Sequence, residues 1–415
     1  MLLPSASLCI ALFAFLDGVI AQQESLAGTN YPQVFDEGVD FTQLFSPKLT
    51  HIERWSQTSW NGLVTFARSN PLRCFGVDSA IPFDVAVLGA PFDTATSYRP
   101  GARFGPNGIR QGSRHLNVAR INVPQKIRVT DFLEVADCGD VPMVLTDNKV
   151  ALRQLELANA ALLSRTSLRT HGDKSLAKDG KFHPRVLALG GDHTITLPLL
   201  RGVVDIYGPV SVIHFDSHID TWKPQRMEDS PWEPGQEIPL SHDNYLWHAY
   251  KEGLLASNNT NIHVGIRGAL DSWDDYRDDH EAGFVISHAD DLEEIGWKGV
   301  VTKIRDTVGD NPVYISFDID VIELGMAPAT GTPEIGGITT REIKKILQGL
   351  SGLKIIGADI VEVAPGTSAN LNIQESIATF SLLLAYDTQD EITQIVAANI
   401  GWHILALMAK TPLVA

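Results

Sequence analysis

The chain has 415 residues, 44% hydrophobic and 20% charged, which is the composition of an ordinary globular protein able to bury a large core. Its 50 acidic residues against 33 basic ones leave a formal net charge of −17, which argues against nucleic acid as a partner and reads first as a solvated acidic surface, with a small cationic partner as the second reading. No linker, composition shift or internal repeat divides the middle of the chain, so one large domain is expected rather than the two or three that length alone suggests.

At the amino end, residues 8–16 form a short apolar stretch, followed by Asp17 and by Val19-Ile-Ala21, a small-residue cleavage site before Gln22. This reads as a secretory signal peptide over residues 1–21, too short to span a bilayer, and hence as a secreted, extracellular protein. Its removal takes Cys9 away and leaves Cys74 and Cys138, which pair in a secreted chain only if the fold brings them together; spacing does not decide that. Residues 22–83 are irregular, carry tryptophans and prolines, and read as an amino-terminal extension packed on the core. Asn258-Asn-Thr260 is an N-glycosylation acceptor in a polar loop.

From residue 84 to the end, short β-branched runs alternate with helical patterns. The runs fall at residues 84–88, 186–189, 210–215, 261–265, 313–317 and 354–357, and helices are expected over 147–166, 339–350 and 391–408. Continuous apolar strands separated by helices predict an α/β fold, a three-layer sandwich whose mainly parallel central sheet is covered on both faces. In such sheets ligands bind beyond the carboxyl ends of the strands.

Three segments carry chemistry there. Asp216, His218 and Asp220 stand at two-residue intervals in His214-Phe-Asp-Ser-His-Ile-Asp-Thr-Trp222. On extended backbone residues spaced by two point the same way, so two carboxylates and an imidazole converge on one small volume. Asp318 and Asp320 repeat the pattern in Ser316-Phe-Asp-Ile-Asp320, and the run ending at Leu189 passes into Gly190-Gly-Asp-His193. The bland alternative is that these groups cap helices and solvate loops. Against it, so many acidic and imidazole groups brought together repel and titrate abnormally unless a cation joins them.

These segments resemble the ureohydrolase family of arginases and agmatinases, and its agmatinase branch in particular. The resemblance rests on Gly190-Gly-Asp-His-Thr194, Phe215-Asp-Ser-His-Ile-Asp-Thr221, Ser316-Phe-Asp-Ile-Asp320, Gly331-Thr-Pro-Glu334 and Gly357-Ala-Asp-Ile-Val-Glu-Val-Ala-Pro365. Upstream, Gly89-Ala-Pro-Phe-Asp93 and Arg99-Pro-Gly-Ala-Arg-Phe-Gly-Pro106 are agmatinase-like. It implies two Mn²⁺ ions per subunit. His193, Asp216, Asp220 and Asp318 hold one ion, and His218, Asp216, Asp318 and Asp320 the other, with Asp216 and Asp318 bridging. Four carboxylates then balance two divalent ions, and oxygen-rich ligation with imidazole suits Mn²⁺, with zinc or nickel as alternatives. A water acidified between the ions supplies the nucleophile for a guanidinium carbon. By the same resemblance Asp220 passes the proton to the leaving amine, Glu362 holds the guanidinium, and His242 relays protons at the pocket mouth; a surface histidine in a polar loop is the other reading of His242.

The expected activity is hydrolysis of agmatine to urea and putrescine, with guanidinobutyrate or another guanidino acid as the alternative substrate. Homo-oligomerisation is implied too, and neither nucleic acid nor membrane is expected as a partner. Three departures from the family pattern favour a further reading, a catalytically weak metal-binding relative. Asp243-Asn244 replaces Gly-Thr after His242, and Glu323-Leu324 replaces Asp-Pro after Asp320, removing a rigid turn. Residues 366–384 form a run of 19 residues between Pro365 and Ala385-Tyr-Asp387. It is either a retained intron, at roughly 57 nucleotides, or a substrate-covering loop.

Overall fold

The computed structural model describes residues 63–170, 175–223, 236, 239–257, 259–365 and 389–411. The signal segment 1–21, residues 22–62 of the extension, the glycosylation acceptor Asn258 and the run 366–384 lie outside the described residues. Eleven strands are described: β1 (Asn70–Pro71), β2 (Val85–Ala90), β3 (Ile121–Asn122), β4 (Ile127–Arg128), β5 (Val135–Asp140), β6 (Arg185–Gly190), β7 (Ser211–Phe215), β8 (Asn261–Ile266), β9 (Phe284–His288), β10 (Pro312–Asp318) and β11 (Lys354–Val361).

Nine of them form one sheet in the order β1-β5-β2-β6-β11-β10-β7-β8-β9, and every neighbouring pair is parallel. β3 and β4 form a separate antiparallel ribbon. The central strands are covered on both faces. β2, β6, β7 and β8 are buried at every position, which is why their sequences read as apolar runs instead of alternating. One hydrophobic core lies under helices Asp291–Val308, Thr340–Gly349 and Gln389–Lys410, the other under Asn148–Leu163 and Thr196–Tyr207. The three-layer α/β expectation holds.

Local signals account for the helix boundaries. Asp147 accepts from the Val150 N–H at 3.1 Å and starts Asn148–Leu163, and Thr339 and Glu342 form a reciprocal capping box at the start of Thr340–Gly349. The helix Gln389–Lys410 is long and apolar enough over Glu391–Lys410 to cross a membrane, yet 67% of that window is buried. Its Ala397, Ile400, Ile404 and Leu407 belong to the first core, so its apolarity is spent on the sheet. The described part of the extension is more ordered than its sequence suggests, since β1 adds an edge strand beside β5. Cys74 and Cys138 are joined by a disulfide, with their Cα atoms 5.3 Å apart.

Candidate metal centre

Four adjacent strands in the middle of the sheet, β6, β11, β10 and β7, end on one side and deliver the candidate groups. β6 runs through Gly190 and Gly191 to His193, β7 is followed by Asp216, β10 ends on Asp318, and β11 is followed by Glu362. Short side-chain turns aim these groups. Asp192 accepts from the Thr194 N–H at 3.0 Å, Asp216 from the His218 N–H at 2.6 Å and Asp318 from the Asp320 N–H at 2.7 Å. Each turn folds residue i+2 back beside the carboxylate that caps it. Backbone approach is close: a Cβ on Gly191 would lie 2.3 Å from the Phe92 carbonyl oxygen, and one on Gly268 would lie 2.7 Å from the His218 ring.

All six residues expected to bind metal come together. His193 Nδ1 lies 3.0 Å from Asp216 Oδ2, 3.0 Å from Asp220 Oδ2 and 3.3 Å from Asp318 Oδ2. Beside this group, His218 Nδ1 lies 3.3 Å from Asp216 Oδ1 and 3.1 Å from Asp320 Oδ2. Asp216 thus offers one oxygen to each group.

Hydrogen bonding favours Nδ1 as the His193 nitrogen left for a metal. The Ser316 hydroxyl donates to Asp359 Oδ1 at 2.8 Å, so its oxygen is left to accept from His193 Nε2 at 2.7 Å. In the neutral ring Nδ1 then carries only a lone pair, and it faces three carboxylates. His193 Nδ1, His214 Nε2 and Asp216 Oδ2 are all buried without a hydrogen-bond partner. Such orphaned donors and acceptors are costly unless something satisfies them.

Electrostatics point the same way. Burial opposes charge on His193, but the neighbouring Tyr245 and the carboxylates of Asp216, Asp220 and Asp318 push its imidazole well above the ordinary histidine range. His218 is likewise raised against burial by Asp320 and Asp216. Burial and then Asp216 push Asp220 up to about 6, and burial with Asp320 and Asp216 holds Asp318 well above the usual carboxylate range. The site demands positive charge, and four carboxylates with two imidazole lone pairs suit a pair of hard divalent ions.

The other two predicted residues adjoin the cage. Glu362 has a left-handed backbone (φ 60°) and is buried; its Oε1 accepts from the His193 N–H at 2.8 Å, and its Oε2 has no partner. His242 Nδ1 lies 3.5 Å from Glu362 Oε1, while its Nε2 lies 3.1 Å from the Ser97 N–H and 2.9 Å from the Ser97 hydroxyl. His242 is buried, unlike the surface histidine that was its other reading.

Over the cage lies a cavity of about 280 Å³, lined by His218, Asp220, Trp222, His242, Asp318 and Thr332 with the acidic groups Asp243, Asp271 and Glu334. A larger cavity, about 650 Å³, is lined by Asp84, Arg185 and Met408 at the amino ends of β2 and β6, across the sheet from these groups.

Sequence reasoning passed over His214, Ser316, Tyr245 and Asp359. His214 was legible, since it extends the two-residue alternation one step back from Asp216 and its Nε2 lies 3.0 Å from Asp216 Oδ2. Tyr245, whose hydroxyl lies 2.9 Å from His193 Nε2, comes from the helix Tyr245–Lys251, and no local pattern announces that contact.

The Arginase family profile matches residues 83–406. The chain is 45% identical over 362 residues to "Putative agmatinase 1" of Schizosaccharomyces pombe, covering 87% of this chain and 86% of that protein. It is 36% identical over 324 residues to the agmatinase of Photorhabdus laumondii, covering 78% and 87%. Among solved structures it is similar to a hypothetical agmatinase from Burkholderia thailandensis (TM-score 0.65, 32% identity, 85% and 92% coverage). It is similar too to the proclavaminate amidino hydrolase of Streptomyces clavuligerus (TM-score 0.65, 30% identity, 85% and 99% coverage).

Proposed function

This chain belongs to the arginase family, and on that footing we propose that it is a binuclear metal amidinohydrolase that converts agmatine to urea and putrescine, with Mn²⁺ as its metal. The observation that carries the reading is the convergence of His193, Asp216, His218, Asp220, Asp318 and Asp320 on orphaned lone pairs at the carboxyl ends of adjacent strands.

His193, Asp216, Asp220 and Asp318 would hold one ion, and His218, Asp216, Asp318 and Asp320 the other. Bound there, the pair supplies Lewis acidity and lowers the pKa of a coordinated water. The protein does the remainder. Glu362 offers its unpartnered Oε2 to the guanidinium, a charge-assisted contact in a buried setting. Asp220, buried in the cage with its Oδ2 3.0 Å from His193 Nδ1, is placed to take a proton and pass it to the leaving amine. His242, between Glu362 and Ser97, moves protons between the cage and the cavity.

The cavity chooses among guanidino substrates. Asp243, Asp271 and Glu334 on its walls favour the cationic tail of agmatine and disfavour the carboxylate of guanidinobutyrate, to which the likeness to a proclavaminate amidino hydrolase would otherwise lend weight. Urea release from a panel of guanidino compounds, with and without added Mn²⁺, tests the reading. The expected order is agmatine first and guanidino acids far behind, with Glu334→Gln narrowing the gap. Two bound ions with no urea from any compound would favour the catalytically weak relative. Asp220→Asn with its metal retained should release urea at least about 10²-fold more slowly; full activity in that variant would remove the proton-transfer role.

We propose further that the chain is a secreted homo-oligomer cut before Gln22. The apolar segment 8–16 and the Cys74–Cys138 disulfide support export to an oxidising compartment. Mass spectrometry of the exported chain and sedimentation of the purified one test both parts.

A further inference from the structure

Two neighbours of the cage, His214 and the residue after Asp220, are tied to the same carboxylate outside it. His214 Nδ1 lies 2.6 Å from His263 Nδ1, across neighbouring strands β7 and β8, whose register pairs these two residues. His263 Nε2 lies 2.8 Å from Asp279 Oδ1, on the helix Trp273–Glu281. A carboxylate accepts, so His263 Nε2 donates to it; with neutral rings, His214 Nδ1 then donates to His263 Nδ1. That leaves the His214 Nε2 lone pair turned toward the cage, 3.0 Å from Asp216 Oδ2 and 3.8 Å from Asp220 Oδ2.

The return path starts at the same oxygen. Asp279 Oδ1 also accepts from the Thr221 hydroxyl at 2.8 Å, and Thr221 follows Asp220 in the chain. Asp220 has φ 52°, a left-handed conformation that a side chain carrying a Cβ rarely adopts and that surroundings must enforce. The segment is gripped a second time, by Lys223 Nζ at 3.0 Å from Asp278 Oδ1. Every member of the path is buried, with Thr221, His263 and Asp279 at most 1% exposed.

We propose that Asp279 anchors a hydrogen-bonded circuit, His214–His263–Asp279–Thr221, that runs from the His214 Nε2 lone pair facing the cage to the residue after Asp220, and in which His214, His263, Thr221 and Asp279 are positioning residues. The circuit fixes the His214 ring against Asp216 and Asp220 at the edge of the cage and holds Asp220 in its left-handed backbone. It rests on the binuclear reading for the metal and is independent of which guanidino compound is the substrate.

Outer partners of this kind typically change metal affinity by about 10- to 100-fold. The test is titration of metal-stripped protein with Mn²⁺ by calorimetry, with metal content measured after dialysis. Thr221→Val, which keeps shape and loses only the hydroxyl, should weaken binding of one ion by about tenfold, and Thr221→Ser should restore it. His263→Phe should weaken it as well, and in an Asp279→Ala background neither change should add its full effect. Leu155→Ala, on the helix Asn148–Leu163, which contributes no member of the circuit, lowers thermal stability without moving Mn²⁺ affinity. A wild-type chain that binds two ions while Thr221→Val and His263→Phe match it, or match the Leu155→Ala control, overturns the circuit alone. A wild-type chain that takes up no divalent ion overturns the metal reading and the circuit with it.

Discussion

His242 and Glu362 show how far a single side chain can be read. The sequence placed both beside the chemistry, and the structure puts them 3.5 Å apart in a buried pair. Burial opposes charge on His242, but Glu362, then Asp220 and Asp243, raise it from 6.5 to about 9. A folded pKa above the unfolded one means that the pair stabilises fully below about pH 6.5 and loses that stabilisation as pH rises through about 9. Thermal melts of metal-free wild type and His242→Gln between these limits should therefore converge as pH rises, and a constant gap would count against the pair. The spacing of Asp216, His218 and Asp220 was legible as a convergence, but extended backbone is not its cause: β7 ends at Phe215, the Asp216 carboxylate caps the His218 N–H at 2.6 Å, and Asp220 is left-handed at φ 52°. The bare nitrogen of His193 was not legible, because it depends on Ser316 and Asp359, more than a hundred residues away in the chain.

At the scale of elements, the strands that announce themselves are those buried on both faces. β6, β7 and β8 were legible as apolar runs, whereas β5, with the sequence VADCGD, and the helix Trp273–Glu281, with WDDYRDDHE, were not. Polar residues in the latter two are retained for contacts: Asp137 pairs with Arg110 at 2.9 Å, and Asp279 with His263 at 2.8 Å. The loss of a rigid Asp-Pro turn after Asp320 looked damaging in sequence. In the fold Glu323 Oε2 accepts from the Gly337 N–H at 2.8 Å, and the Glu323 N–H donates to the Ile338 carbonyl at 3.0 Å, so the turn is held by hydrogen bonds instead. Asn244 similarly ties its loop together, accepting from the Ser241 N–H at 2.9 Å and donating to the Pro239 carbonyl at 3.0 Å. Glu323→Ala should loosen the loop that carries Thr332 and Glu334 and raise KM for agmatine several-fold while kcat changes little. A fall in kcat at constant KM would place the effect in the cage.

At the scale of the molecule, stability and chemistry occupy different parts of one sheet. The cage sits on β6, β11, β10 and β7, whereas the disulfide joins Cys138 on β5 to Cys74 just beyond β1, at the sheet edge. The two cysteines are 64 residues apart in sequence. In the chain-entropy account, opening a loop of that length costs about 4 kcal/mol of stability. Since β2 stands between β5 and β6, the loss should fall on stability and spare the site. Reduction with a phosphine, or Cys74→Ser, should lower the melting temperature by roughly 5–10 °C and leave metal content and urea release at 25 °C unchanged. If activity falls in step with the disulfide while the protein remains folded, the edge strands reach the metal centre by a route that this separation excludes.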